Sequence, residues 1–358
     1  MTEPFERADA GPITVGVLYP PGYHRRAEEL DEEVRRLAEL DPRVRVLVEP
    51  YVDPDELRTR RSAPGYRRSP EDTTELSDSQ RRVLAQLDAA IVLDLPFDTP
   101  QLAPRLRWVQ SVGTGIGQLR SAGLAEAGIA LTNAAGTSAP EIAEFVLARI
   151  LEHHKRLPEL AAAQAEVRWR PVYGRGLSDM TIGLAGLGAI NGEVARLARA
   201  FGMRVLATRR DPGTSHPHVD EVVGSDRLVE MVRRCDVVVS ALPETPETDA
   251  AFDARAFAAM ADHALFVNVG RGSAVVDRDL LDALDEGRLA AAALDVFAEE
   301  PLPPEHPYWT HPKVRVSAHC SSVPATSIAR VHELFRDNLR RLLAGEALRN
   351  VVDLDRGY

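Results

Sequence analysis

Cysteine is nearly missing from this 358-residue sequence, which contains only Cys235 and Cys320. Two cysteines cannot build a disulfide framework, and no Cys/His cluster has zinc spacing, so free thiols in a reducing compartment are expected and no metal site is. His216 with His218, and His153 with His154, lack a third ligand. No apolar run approaches the roughly 18 to 20 residues that span a bilayer. The opening Met1-Thr2-Glu3-Pro4-Phe5-Glu6 has neither the basic nor the apolar region of a signal peptide, so a cytoplasmic protein is expected. Basic charge is also in deficit: 43 Lys and Arg against 54 Asp and Glu leave a net charge of -11. That balance argues against nucleic acid and anionic membranes as partners, and an anionic ligand would have to be held by particular arginines. What remains, 44% apolar and 27% charged residues over this length, is ordinary for a globular chain of two domains.

Thr181 to Ala195 reads T-I-G-L-A-G-L-G-A-I-N-G-E-V-A, a buried strand, a glycine turn and the opening of a helix. After Gly186-Leu187-Gly188 the apolar positions Ile190, Val194, Leu197 and Ala198 fall at helical spacing. Such a turn lets backbone approach a pyrophosphate, and the helix start at Ala189 and Ile190 offers free N–H groups and a positive dipole end. Asn191 stands where the third glycine of G-x-G-x-x-G is usual, with Gly192 after it, and predicts a slightly displaced helix. A turn of this kind is by itself weak evidence of a nucleotide.

Around it the chain alternates strands and helices. Strands are expected at 13–19, 44–48, 89–93, 106–111 and 129–132, with helices at 27–40, 78–86 and 117–127. A long helix at 138–155 starts at Ser138 as N-cap, with Pro140 and Glu141 in its first turn. Further strands are expected at 204–207, 236–240, 264–268, 291–296 and 314–317, with helices at 227–233, 277–286 and 325–343, the last returning to the first domain. Alternation of this kind predicts parallel, doubly wound sheets. Residues 53–77 turn to Arg, Glu, Asp, Pro and Ser with few apolar residues, and read as a mobile insertion, a surface loop or a substrate-covering lid. The nucleotide domain is expected at 138–320, inserted into a first domain of 1–137 plus 321–358, with a ligand in the cleft between them.

Three strand ends carry the chemistry: Phe266 to Gly272 (F-V-N-V-G-R-G), Ala293 to Pro301 (A-L-D-V-F-A-E-E-P) and Val316 to Ser322 (V-S-A-H-C-S-S). In this order after the glycine turn they resemble the D-isomer-specific 2-hydroxyacid dehydrogenase family, over about residues 89 to 352. The resemblance implies a Rossmann-type nucleotide domain inserted into a flavodoxin-like substrate domain, and a homodimer built on the 138–155 helix. It makes Arg271, Glu300 and His319 the catalytic set, with Arg271 holding the substrate carboxylate and Gly113-Thr114-Gly115 as the backbone carboxylate loop. It also implies cofactor contacts at Gly186, Gly188, Ala189, Ile190, Leu242, Pro243, Thr248, Val269 and Gly270, and at Asp295, the aspartate that orients the nicotinamide carboxamide. The residue types suit the chemistry: a guanidinium matches a carboxylate and growing alkoxide, and a histidine beside a carboxylate is a proton donor whose charge that carboxylate supports. Glu300 argues against formate as substrate, because formate dehydrogenases of the family carry glutamine there. Ala318 replaces the usual proline before the histidine, Gly117 a common polar residue, and Ala189 a common phosphate-contacting arginine. Cys320 is no partner for His319 as a nucleophile, since neighbours on an extended segment point to opposite sides.

After the strand Val205-Leu206-Ala207-Thr208 come Arg209 and Arg210, and Asp211 falls too late to reach an adenosine ribose. Arginines there accommodate the 2'-phosphate, so NADP(H) is favoured over NAD(H). The expected activity is reduction of a small 2-oxo acid such as glyoxylate or hydroxypyruvate to the D-2-hydroxy acid, with His319 as proton donor. The alternatives are phosphoglycerate, a bulkier 2-oxo acid or phosphite on the same residues, and a nucleotide-dependent binding role like that of the related co-repressors.

Overall fold

The computed structural model describes residues 11–354 except 25, 64, 70, 74 and 214; the first six residues, read above for a signal peptide, lie outside them. Two compact units are present, one of residues up to Thr137 with those from Pro324 onward, the other Ser138–Val323.

In the first unit five strands, β1 (Ile13–Val17), β2 (Val44–Val48), β3 (Ala89–Val92), β4 (Trp108–Ser111) and β5 (Ala130–Thr132), form a parallel sheet in the order β2-β1-β3-β4-β5. The pleat sends Val15, Val17, Ala89, Ile91 and Trp108 into one core and Leu18, Ala90, Val92 and Val109 into the other. Ile328, Val331, Phe335, Leu339 and Leu342 of the final helix, Pro324–Ala344, join the first of these cores, where Phe335 stacks on Trp108 at 4.8 Å.

In the second unit seven parallel strands, β6 (Thr181–Ala185), β7 (Arg204–Arg209), β8 (Glu221–Gly224), β9 (Val237–Ser240), β10 (Leu265–Asn268), β11 (Ala291–Leu294) and β12 (Val314–Val316), run in the order β12-β11-β10-β9-β6-β7-β8. Both faces are covered: Ile182, Leu184, Val205 and Val239 bury on one side, Val238, Phe266 and Ala292 on the other. The order reverses direction beside β6, which puts the glycine turn at the switch point of the sheet. Strand β8 and the helices Thr99–Leu102, Leu157–Ala165 and Ala254–Ala259 are additional to the sequence expectation. The long helix is Ala139–His154, and Ser138 occupies its N-cap position without a capping side-chain bond.

The 53–77 stretch departs from expectation. Asp55–Ser62 is a helix, and Arg61, fully buried, pairs with Asp53, donates to the Leu95 carbonyl at 2.8 Å and to the Ser121 hydroxyl at 2.8 Å, and stacks over Phe97 at 4.2 Å. Tyr51 donates to Asp53 at 2.6 Å, Arg58 pairs with buried Asp94 at 2.8 Å, and Asp72 collects Arg60 and Tyr66, each at 2.6 Å. Ion pairs order this segment in place of the missing apolar surface; Pro64, Pro70 and Thr74 lie outside the described residues. Among the described residues no helix is long and apolar enough to cross a membrane.

Candidate active site

Gly186 has a φ of 83°, a left-handed conformation that glycine adopts without strain, and a Cβ there would lie 3.0 Å from the Leu242 side chain. Gly188 is the N-cap of the Ala189–Ala200 helix, with open space where its Cβ would be and no side chain capping the helix start. The first N–H groups of that helix are left to an external acceptor, and the exposed Gly188 and Ala189 leave room for a diphosphate. Asn191 is fully buried, and its Nδ2 donates to the carbonyls of Ala185 at 3.0 Å and Gly186 at 2.7 Å. It thereby ties the helix to the turn, a role that the sequence reading, which saw only a missing glycine, did not assign.

The end of β7 flanks this turn. Gly186 donates its N–H to the Thr208 hydroxyl at 3.2 Å, and Arg209 follows as the last strand residue. Asp211 turns back onto the N–H of Gly213 at 3.1 Å. The His216 ring lies against Gly192, 3.3 Å from where its Cβ would be. Partial burial, His218 and Arg209 hold the His216 pKa below its ordinary value. Basic groups, and no described carboxylate bond to Arg209, collect beside the helix start.

The loop after β10 packs against the end of β9. A Cβ on Gly270 would fall 2.6 Å from the Leu242 carbonyl oxygen, so Leu242 is enclosed by both glycine turns. Pro243 accepts from the Thr248 hydroxyl at 2.6 Å, closing the next turn. Asn268, also unassigned from sequence, accepts from the Gly270 N–H at 3.1 Å and donates to the Arg271 carbonyl at 3.0 Å, shaping the loop from Val269 to Arg271. The Arg271 guanidinium donates to the Gly270 carbonyl at 2.7 Å. At Gly272 a Cβ would lie 1.8 Å from the Phe297 carbonyl carbon, so only glycine lets this loop meet the one bearing Glu300.

Glu300 accepts from the Phe297 N–H at 2.9 Å through Oε1 and meets His319 Nδ1 at 2.8 Å through Oε2. Burial raises the Glu300 pKa, but the His319 hydrogen bond, the Phe297 N–H and the charges of His319 and Arg271 outweigh it and hold the carboxyl below its usual range. With Nδ1–H given to the carboxylate, Nε2 is the nitrogen that the half-exposed His319 ring keeps for another partner. Arg271, Glu300 and His319 thus meet at one end of the sheet, and all three belong to the second unit. Asp295 is buried, its carboxylate taken up by the 317–321 loop.

In the first unit, Gly113, Thr114 and Gly115 follow β4 at the carboxyl end of its sheet. Ser111 accepts the Gly113 N–H at 3.1 Å, Ala134 donates to the Gly113 carbonyl at 3.0 Å, and Asn133 donates to the Thr114 carbonyl at 3.0 Å.

A glycine turn at the switch point of a parallel sheet, with a histidine–carboxylate pair and an arginine at the same, carboxyl end of that sheet, is an arrangement suited to a dinucleotide-dependent oxidoreductase. Residues 147–321 match the model described as "D-isomer specific 2-hydroxyacid dehydrogenase, NAD binding domain". The chain is 32% identical over 277 residues to glyoxylate/hydroxypyruvate reductase A of Serratia proteamaculans, covering 76% of this chain and 88% of that protein. A D-isomer specific 2-hydroxyacid dehydrogenase of Xanthobacter autotrophicus, solved with NADPH and MES, superposes with a TM-score of 0.72 at 27% identity, over 98% of this chain and 100% of that one. The NADPH-dependent glyoxylate/hydroxypyruvate reductase of Sinorhizobium meliloti, solved with NADP and sulfate, superposes with a TM-score of 0.71 at 26% identity, over 97% and 100%. The chain belongs to the D-isomer specific 2-hydroxyacid dehydrogenase family and is an NAD(P)-dependent oxidoreductase.

Proposed function

We infer that the protein reduces a small 2-oxo acid, glyoxylate or hydroxypyruvate, to the D-2-hydroxy acid with NADPH. The observation that carries this reading is the 2.8 Å contact between His319 Nδ1 and Glu300, with the Arg271 charge acting on the same carboxylate. The reduced nicotinamide, when bound, supplies the hydride to the oxo carbon. Arg271 holds the substrate carboxylate and stabilises the negative charge growing on the oxo oxygen, in a planar fork that matches both. His319 gives its Nε2 proton to that oxygen, and Glu300 fixes the ring and supports its charge. The backbone of Gly113, Thr114 and Gly115 is a further anion-binding element in this reading, which makes the first unit the substrate domain and 138–320 the nucleotide domain.

The start of the Ala189–Ala200 helix fits a diphosphate, with Gly186, Gly188, Ala189 and Ile190 as its contacts and Leu242, Pro243, Thr248, Val269 and Gly270 lining the nicotinamide side. Preference for NADPH rests on Arg209 and Arg210 and on the lack of an acid at the end of β7. The names of the relatives, which include NADPH-dependent glyoxylate/hydroxypyruvate reductases, support both substrate and cofactor. A cytoplasmic homodimer without nucleic-acid or membrane partners completes the reading, supported by the family likeness and by the net charge of -11; light scattering tests the dimer.

Steady-state kinetics with NADPH and NADH on glyoxylate, hydroxypyruvate, phosphohydroxypyruvate, phenylpyruvate and phosphite test the proposal. We expect the highest kcat/KM with NADPH and one of the first two acids, and a D product on chiral chromatography. A preference for NADH would remove the role given to the arginines, and no turnover with any compound would favour a nucleotide-dependent binding role. Arg209→Asp is expected to lower kcat/KM for NADPH by about ten- to a hundredfold, the worth of a hydrogen-bonded charge pair, while sparing NADH.

A further inference from the structure

The turn that carries His319 is organised around one buried carboxylate. Asp295, 1% exposed at the end of β11, accepts the Ser317 hydroxyl at 2.6 Å and the Cys320 N–H at 3.0 Å through Oδ1, and the Ser321 N–H at 3.0 Å through Oδ2. Its carbonyl accepts the His319 N–H at 2.8 Å, and the Ser317 N–H bonds the Leu294 carbonyl at 2.9 Å, continuing the ladder from β12. Of residues 317 to 321, four are thus bonded to Asp295 itself, through side chain or backbone. His319 sits in the middle with a φ of 49°, a left-handed conformation that a histidine adopts at a cost and keeps only where its surroundings fix it. Ala318, beside it, adds no constraint of its own: a proline would pre-set φ, but alanine does not.

We propose that Ser317 is a positioning residue for the proton transfer: its hydroxyl, bonded to Asp295, holds the left-handed turn that presents His319 to Glu300 and to the substrate. The proposal rests on the reading of His319 as proton donor. It gives the buried Asp295 carboxylate a task in the histidine turn, where its bonds are observed, and leaves Oδ2, which takes only the Ser321 N–H, room for the nicotinamide carboxamide that the family resemblance assigns to it. The Ser317 hydroxyl has one proton to give, and the 2.6 Å contact to a carboxylate takes it in preference to the Leu294 carbonyl at 3.4 Å. Without that bond three backbone N–H groups still reach Asp295, two at its carboxylate and that of His319 at its carbonyl, so the turn persists but loses the restraint nearest β12.

The test compares Ser317→Ala and Ser317→Thr with the wild type. Ser317→Ala is expected to lower kcat for a 2-oxo acid by about ten- to a hundredfold, the worth of a hydrogen bond to a charged group, with the Kd for NADPH within twofold of wild type by fluorescence titration. Ser317→Thr, which keeps the hydroxyl, is expected to restore kcat to within about threefold. In nitrogen-15 spectra, with His319 assigned by comparison with His319→Gln, the Nδ1–H resonance held by Glu300 should broaden in Ser317→Ala and return in Ser317→Thr. An alanine variant with unchanged kcat and an unchanged resonance overturns the proposal, as does a loss of NADPH affinity in proportion to kcat. If the wild type reduces no 2-oxo acid, the functional reading fails, and the resonance still decides whether Ser317 holds the histidine.

Discussion

His319 is presented with its ring about half exposed while its neighbours are tied down, so truncating the ring should remove chemistry and little else. His319→Ala is expected to lower kcat by about a hundred- to ten-thousandfold with the Kd for NADPH nearly unchanged, as measured by steady-state kinetics and fluorescence titration. Glu300 carries a depressed pKa, so its carboxylate supports both fold and histidine above its ordinary value of 4.5, and this support is lost as pH falls through the lowered value. The acid limb that Glu300 imposes on kcat should therefore lie below pH 4.5, and Glu300→Gln should abolish it. Gly272→Ala has nowhere to put its methyl group and must push the Arg271 loop off the Phe297 backbone; a displacement of about 1 Å costs about a hundredfold in rate, and kcat with the thermal midpoint would show it. Residue identities of this kind were legible in the sequence because they occur at strand ends in a fixed order. Asn191 and Asn268 were not legible. Their amides bond backbone groups that lie close only after the chain has folded, and nothing in the spacing marks them.

Among the elements, buried strands announced themselves as short runs of Val, Ile, Leu and Ala, and 44–48 was expected with the bounds it has. The Asp55–Ser62 helix escaped because its buried side is Leu57 and a fully enclosed Arg61, and a hydrophobic pattern treats arginine as solvated. Its stability rests on pairing, so removing one partner leaves the other charge stranded. Arg61→Met is expected to destabilise the first unit by about 3 to 5 kcal/mol in urea titration, well beyond a surface arginine change such as Arg82→Met. Asp72 is held down to a pKa of about 2 by the Tyr66 hydroxyl, Arg60 and the Ser69 N–H, against an ordinary 3.8. Its contribution is complete above pH 3.8 and disappears as pH falls toward 2, so hydrogen exchange in the segment after Ser62 should accelerate over that window, and Asp72→Asn should bring the fast exchange to neutral pH.

Each unit of the whole molecule encloses a histidine that is kept neutral, His154 in the second with a pKa near 4 and His332 in the first near 3, in both cases chiefly through burial. His332 accepts or shares the proton of Tyr19, whose hydroxyl also meets His24 at 2.7 Å, and its second nitrogen has no partner within hydrogen-bond reach. The unfolded chain takes up protons on these rings near pH 6.5 while the folded chain does not, so stability present above pH 6.5 erodes as pH falls toward 4 and 3. Each ring contributes a slope of about 1.4 kcal/mol per pH unit inside its window, and His332→Gln should remove the first unit's share in thermal melts run between pH 7 and 4.

The final helix, Pro324–Ala344, fills the same core as β1 and β3. On a ribosome, the sheet of the first unit must therefore wait, one apolar face uncovered, until residues 324–344 have emerged, while the segment between its two halves can already settle. Nascent chains arrested before residue 324 should expose Trp108 to quenchers and recruit holding chaperones, and those arrested beyond Leu342 plus the length of the exit tunnel should not.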